Sequence, residues 1–296
     1  MLRILRRDLG RAWRGVVALA IGYMAMTVLA WEWAFRRYRR RESHGLPAPL
    51  LVSLTSYRAR FPTLAFTLRS LLLQRMAPDR IILWIADADI SLPAAVLRLA
   101  ERGVEIRRTA DLGPYTKLIP AIAAQPGWFV VTADDDTYYP SDWLAGLVAA
   151  FDAEHPAVIC HRAHRVGFTP SGLIQPYAQW EKDVAGPQEG IDLLPTGVGG
   201  VLYAPAVAKD MSATIMDIYA LAPKADDLGL FWASRLIGLR TRKTSWRRSF
   251  ASWPGSQRVG LFRRNNRGDA RNDFYLARLI DVFGLPSSLA GRGTRS

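Results

Sequence analysis

Three consecutive carboxylates, Asp134-Asp135-Asp136, end the apolar run WFVVTA at 128–133. Like charges in a row repel and raise one another's pKa unless a cation sits among them. An all-oxygen set without Cys or His suits a hard divalent ion, Mg²⁺ or Mn²⁺, which keeps waters and bridges substrate phosphates. An acidic surface turn has similar composition, but the apolar run ahead of the triplet favours a metal. The aspartyl-phosphatase pattern D-x-D-x-T/V also follows an apolar strand. Asp134 and Asp136 fit it, Tyr138 does not, and that motif opens its domain rather than following several β/α units. A metal-dependent phosphohydrolase or phosphotransferase is therefore the second reading.

A second acidic pair, Asp226-Asp227, opens an amphipathic stretch with Leu230, Trp232 and Leu236 behind it. Acids there cap a helix and meet its dipole. The TGVGG run at 196–200 either lets a substrate approach backbone N–H groups or is a plain turn before a strand at 200–203. His161 and His164 are read as structural before they are read as metal ligands. Tyr177 and Trp180 are aromatics that either stack on a ligand or belong to the core. The lone cysteine, Cys160, excludes an intramolecular disulfide framework and a structural zinc cluster.

The elements that must position these groups alternate. Strand-like runs lie at 50–56, 80–86, 104–109, 128–134 and 157–161, with helix-like stretches at 62–74, 93–102 and 141–154. That order predicts a mostly parallel sheet covered by helices, with ligands beyond the carboxyl ends of the strands. Those ends carry Thr55-Ser56-Tyr57-Arg58, then Asp87-Ala88-Asp89, then Asp111 with Tyr115-Thr116-Lys117, then the acidic triplet.

With these residues in place the chain resembles GT-A-fold bacterial glycosyltransferases related to family 2 that act on surface polysaccharides. The resemblance runs from about Leu50 to Asp273 in six ordered blocks: VSLTSYRARF (52–61), LLLQRMAPDRIILWIAD (71–87), YTKLIPA (115–121), VVTADDDTYYP (130–140), TGVGGVLYAP (196–205) and ADDLGLFWASRLIG (225–238). It implies a Rossmann-like three-layer α/β sandwich that moves a sugar from a nucleoside-diphosphate donor to an acceptor hydroxyl. Ser53, Thr55, Tyr57 and Asp87 would face the base and ribose, and Asp111 and Lys117 the ribose or diphosphate. Asp134 and Asp136 match the DxD that holds Mn²⁺ or Mg²⁺, with Asp135 against ribose and Gly199 and Gly200 beneath the sugar. Asp227, or else Asp226, would be the base, and a single base without a covalent partner gives inversion. Two departures stand out. Gly113-Pro114 replaces a longer polar turn ahead of Tyr115, and Gly229 stands where a bulky residue often follows the acidic pair.

Ahead of this domain, residues 15–31 carry no charge, and the apolar character resumes after Glu32. About 21 residues match a bilayer core, and the run ends in Arg36, Arg37, Arg39, Arg40 and Arg41 rather than in a cleavage site. Arg3, Arg7, Arg11 and Arg14 recur at helical spacing before it. The segment is expected to span the membrane or lie in its interface, on anionic lipids. The expected organisation is a membrane-associated helix (1–41), a linker (42–49), a catalytic domain (50–285) and a basic tail (286–296). Nucleotide-sugar donors are made in the cytosol, so the catalytic domain is expected on the cytoplasmic face of the inner membrane.

The formal charge of +13 invites a nucleic-acid reading. By position it is +8 over 1–41, +11 over 235–296 and −6 between them. No nucleic-acid motif accompanies the charge, and 34 of the 39 basic residues are Arg, a bias that codon preference produces. The basic ends suit lipid headgroups or a phosphorylated acceptor. A nucleic-acid or peripheral lipid-binding protein is the non-enzymatic alternative.

Overall fold

The computed structural model describes residues 2–36, 41–86, 91–256 and 268–289. Its centre is an eight-stranded sheet. The strands are β1 (Leu50–Ser56), β2 (Arg80–Ile85), β3 (Val104–Arg108), β4 (Phe129–Ala133), β5 (Ala157–Cys160), β7 (Gln188–Gly190), β9 (Val201–Tyr203) and β10 (Arg240–Lys243), in the order β3-β2-β1-β4-β9-β5-β10-β7. β6 (Ala163–Arg165) and β8 (Leu193–Pro195) form a separate two-stranded ribbon. The first four strands pair in parallel, and β9 enters antiparallel between β4 and β5. β1 and β4 are buried almost throughout, as expected of central strands covered on both faces. The mostly parallel sheet matches the expectation from alternating runs, and strand boundaries agree within a residue or two.

The covering helices are α2 (Phe61–Leu72), α3 (Ala94–Ala100), α4 (Ile119–Ala124), α5 (Trp143–Val148), α6 (Pro205–Ser212), α7 (Ile215–Leu221), α8 (Asp226–Leu236) and α9 (Gly268–Phe283). α5 is shorter than the expected 141–154. Past it, Phe151 turns edge-on to Phe129 at 4.8 Å, and Asp152 accepts the Glu154 N–H in a local turn. α9 is held by Asp273, whose carboxylate accepts the Tyr177 N–H at 2.7 Å; that gives Asp273 a structural role.

The expected linker is pinned rather than loose. Glu42 bridges Met76, with the Glu42 N–H donating to Arg75 and the Ala77 N–H to Glu42, and His44 meets Asp79 at 2.9 Å. Upstream, α1 (Leu2–Arg36) is one continuous helix. Its segment Gly15–Phe35 is long and apolar enough to cross a membrane. Ala25, Leu29 and Glu32 are nevertheless buried against the domain.

Candidate active site

β4 delivers Asp134 at its carboxyl end, where the backbone leaves the sheet and its N–H donates to the Tyr139 hydroxyl at 2.8 Å. Lys117, from the turn after Asp111, sits beside it. Its Nζ lies 2.8 Å from Asp134 Oδ1 and 2.9 Å from Asp226 Oδ2. Burial alone would depress this ammonium, but Asp134, Asp226 and Asp227 outweigh it and hold Lys117 well above its usual value. Lys117 thus joins the strand-end carboxylate to the acidic pair at the start of α8, 92 positions further along.

The floor between them is Gly197. Its N–H donates to Asp227 Oδ1 at 2.9 Å. A Cβ at this position would stand 2.7 Å from Lys117 Nζ, 3.1 Å from Asp227 Oδ1 and 3.3 Å from Asp134 Oδ1. A side chain there would fill the point on which the ammonium and both carboxylates converge, which is why the loop carries glycine. Burial and the neighbouring Asp226 carboxylate raise Asp227 to about 7, against the opposing pull of Lys117.

The other two carboxylates of the triplet turn elsewhere. Asp136 pairs with the Arg60 guanidinium, and Asp135 accepts the Ser56 hydroxyl at 2.6 Å with Arg60 Nε 3.9 Å away. Burial and Asp136 raise Asp135 to about 7, and burial raises Asp136 despite Arg60. Arg60 also donates to the Ser256 carbonyl at 2.9 Å, and the Trp253 N–H donates to the Asp136 carbonyl at 3.1 Å. The segment 250–256 therefore straps the acidic turn from outside. Sequence reasoning missed Arg60, although it lies inside the SYRARF block. The signal was a basic residue immediately before Phe61 and α2, on a turn that ends β1.

The remaining candidates divide. Thr55 is half-buried and donates to the Trp84 carbonyl at 3.1 Å, and Tyr57 is exposed at the rim. Ser53 is corrected. It is fully buried, donates to the Lys117 carbonyl at 2.5 Å and accepts the Trp84 indole N–H at 2.9 Å, so its hydroxyl supports the Lys117 turn and faces no ligand. Asp111 is exposed and caps its own turn through the Gly113 N–H at 2.8 Å. Gly199 and Gly200 serve packing. A Cβ on Gly199 would lie 3.0 Å from Arg162, and one on Gly200, at φ +81°, 2.4 Å from Trp143. Asp87 lies outside the described residues.

His161 and His164 are structural. His161 is buried between Thr244 Oγ1 (2.6 Å) and the Trp143 carbonyl (2.8 Å), and His164 accepts the Asp183 N–H at 2.9 Å. Desolvation lowers both to about 4, so both are neutral near pH 7. Trp180 is core, its indole N–H on the Gln175 carbonyl.

Gly229 has a direct physical reason. The Tyr115 hydroxyl donates toward the carbonyls of Ala222 and Ala225, just ahead of Asp226, and a Cβ on Gly229 would fall 1.8 Å from that oxygen. Tyr115 fills the space that a larger residue at 229 would take. Gly229→Ala is expected to lower stability by about 1–3 kcal/mol through overpacking, measured by urea unfolding. Combining it with Tyr115→Phe should recover part of the loss. Unchanged stability of Gly229→Ala would contradict this packing.

Asp134, Asp226 and Asp227 thus gather around Lys117, and Asp135 and Asp136 around Arg60, all of the carboxylate donors being hard oxygens. Among the described residues no three ligands gather as a protein cage for a metal ion. Mg²⁺ and comparable ions commonly take one or two carboxylates and complete their shell with water and substrate phosphate. The surplus of carboxylates fits such a shared site.

Residues 52–183 match the model of glycosyl transferase family 2. That stretch, 132 of the 296 residues, is similar to this family. The match covers β1 through the ribbon strand β6 and so includes Arg60, Lys117 and the acidic triplet; the TGVGG loop and Asp226-Asp227 lie downstream of it. No curated protein matches the chain in sequence. Among solved structures it is similar to the mannosyltransferase PcManGT from Pyrobaculum calidifontis in complex with GDP-Man and Mn²⁺. That similarity has a TM-score of 0.40 and 14% identity over 76% of this chain and 64% of that one. S. aureus TarS 1-349 is similar at TM-score 0.47 and 18% identity, over 79% of this chain and 72% of that one. Its complex with UDP gives 0.46 and 19%, over 68% and 59%.

Proposed function

We propose that the protein transfers a sugar from a nucleoside-diphosphate sugar to an acceptor hydroxyl, with inversion, in the synthesis of a cell-surface polysaccharide or lipopolysaccharide. The observation that carries this reading is the Lys117 ammonium held between Asp134 and Asp226, with Asp227 beside it on the Gly197 N–H. A compact cation next to a strand-end carboxylate suits a departing diphosphate. A carboxylate of raised pKa on the facing helix suits removal of a proton from the attacking hydroxyl.

Asp227 Oδ1 is occupied by the Gly197 N–H, which orients the carboxylate and leaves Oδ2 to take the proton. Asp226 is the second candidate, but its Oδ2 is already engaged by Lys117. Asp134 would hold a divalent ion, joined by Asp136 if that carboxylate exchanges Arg60 for the metal. The ion would supply Lewis-acid stabilisation of the leaving diphosphate. Arg60 and Ser56 keep the acidic turn in shape, and Tyr57 and Thr55 lie on the rim where a base and ribose would pass. The donor's cytosolic origin supports a catalytic domain on the cytoplasmic side of the inner membrane.

The test is to incubate the full-length protein with a panel of nucleotide sugars and Mn²⁺, with and without lipid-linked and oligosaccharide acceptors, and to follow nucleoside-diphosphate release. The expected result is acceptor-stimulated release that EDTA abolishes and Asp134→Asn removes. Orthophosphate release from phosphomonoesters in its place would favour the phosphohydrolase reading. Failure to bind or turn over any donor would overturn the transferase.

A further inference from the structure

The apolar helix α1 has two unlike sides. From Gly22 onward one side is docked. A Cβ on Gly22 would stand 2.8 Å from the Ser252 carbonyl oxygen and 3.0 Å from Pro254, so the helix backbone rests directly on the strap. Ala25 and Leu29 are buried with Trp253, and Phe66, Leu73 and Tyr138 pack around them. Glu32 is 7% exposed and its carboxylate accepts the Tyr138 hydroxyl at 2.9 Å. At 100° per residue these positions share a face. Trp13, Val16, Leu19, Met24, Trp31 and Phe35 lie outside that face, around the rest of the helix, and all are exposed, by 48–70%.

A helix crossing a bilayer presents every side of its apolar span to acyl chains or to other membrane segments. This one would have to carry the 251–254 backbone, Tyr138 and a buried carboxylate into hydrocarbon with it. The same helix laid along the surface keeps its docked side on the protein and places only the outward side among the acyl chains.

Charge beside the helix identifies the surface. Arg69 of α2 and Arg102 at the end of α3 both stand 5.5 Å from the Trp33 ring, with Arg98 one helical turn before Arg102. Among the described residues none of the three has a carboxylate partner, and Arg69 Nε is buried without a hydrogen bond. Burial and the repulsion of Arg98 and Arg102 lower the Arg69 pKa. Arginines grouped around the half-buried Trp33 without counter-charges suit lipid phosphates.

We propose that α1 attaches the protein to an anionic bilayer by lying in its surface rather than crossing it, with Arg69, Arg98 and Arg102 contacting headgroup phosphates. The attachment is independent of the sugar-transfer reading, and its test does not use activity.

The test uses the full chain with Val16→Cys and Phe35→Cys, each carrying an environment-sensitive thiol label. Cys160 does not compete, being fully buried with its thiol pushed up to about 12 by desolvation. On vesicles of phosphatidylcholine with phosphatidylglycerol, both labels are expected at the same shallow depth and on the same side. A spanning helix would separate them by about 28 Å across the bilayer, and that result would overturn the proposal. So would failure to float with the vesicles, including the case of a concentration-dependent dimer formed through the apolar face. Arg98→Gln with Arg102→Gln should weaken partition roughly ten- to thirtyfold, and unchanged partition would remove the arginines from the interface. Inorganic phosphate at matched ionic strength should not displace the protein from vesicles. Displacement would make the trio a free-phosphate site and refute the lipid assignment.

Discussion

Asp227→Asn should lower kcat by about 10²–10⁴-fold, the usual range for losing a general base, with little change in donor affinity. The amide can still accept the Gly197 N–H that orients the native carboxylate, so the loop and the start of α8 should hold. What disappears is the site for the proton. The pH profile sharpens the expectation. Burial and Asp226 raise Asp227 to about 7, and a base works only when ionised. The rate of the parent protein should therefore rise with pH up to a plateau above about 7, and the residual rate of Asp227→Asn should lack that limb. The linked effect on stability has the opposite sign. A carboxyl whose folded pKa is raised favours the fold when protonated, and that contribution is lost as pH climbs from about 4 towards 7. Activity and stability should move against each other across this window. Loss of donor binding in Asp227→Asn, or an unchanged pH profile, would place the base elsewhere.

The second large effect is expected at a residue that touches no substrate in this scheme. Arg60 is 8% exposed and serves Asp136, Asp135 and the Ser256 carbonyl together. Arg60→Met leaves two buried carboxylates without their cation. Breaking a buried pair from one side typically costs about 3–5 kcal/mol, a large part of the stability of any domain. Urea unfolding of Arg60→Met should show a loss of that order, whereas Arg60→Lys, which keeps the charge without the fork, should fall between. A loss no larger than that of an exposed ion pair such as Arg75–Glu42 would contradict the role assigned to Arg60.

Most of the scaffold was legible because its central strands, β1, β2, β4 and β5, are buried on both faces and read as apolar runs between turn residues. β4 announces its end by meeting three carboxylates, and the start of α8 is marked by two acids ahead of an apolar stretch. What could not be read were partnerships across long separations. Nothing local tells that Arg60 rather than Arg58 reaches Asp136, 76 residues on, or that the two ends of the triplet face different cations. Ser53 misled because a hydroxyl near a strand end resembles a ligand contact. Its strand neighbours on both sides bury it, and the Trp84 indole claims its oxygen. Among the glycines, the pattern TGVGG could not reveal that Gly197 lies under the charges while Gly199 and Gly200 make room for Arg162 and Trp143. The departure at Gly229 was visible, but its cause, the Tyr115 hydroxyl, is a contact 114 positions away in the chain.

The strap at 250–256 gives the amino-terminal helix a second meaning. Trp253 is covered by Ala25 and Leu29 on one side, its indole N–H donates to Thr67 at 2.7 Å, and its backbone N–H holds the Asp136 carbonyl. Thr67 in turn donates to the carbonyls of Asp135 and Thr137. Helix, strap and acidic turn are one cooperative unit, so trimming the chain to its catalytic portion for solubility would uncover Trp253 and loosen the backbone beneath the carboxylates. A shortened enzyme that has lost activity would then report a damaged centre, not a missing membrane.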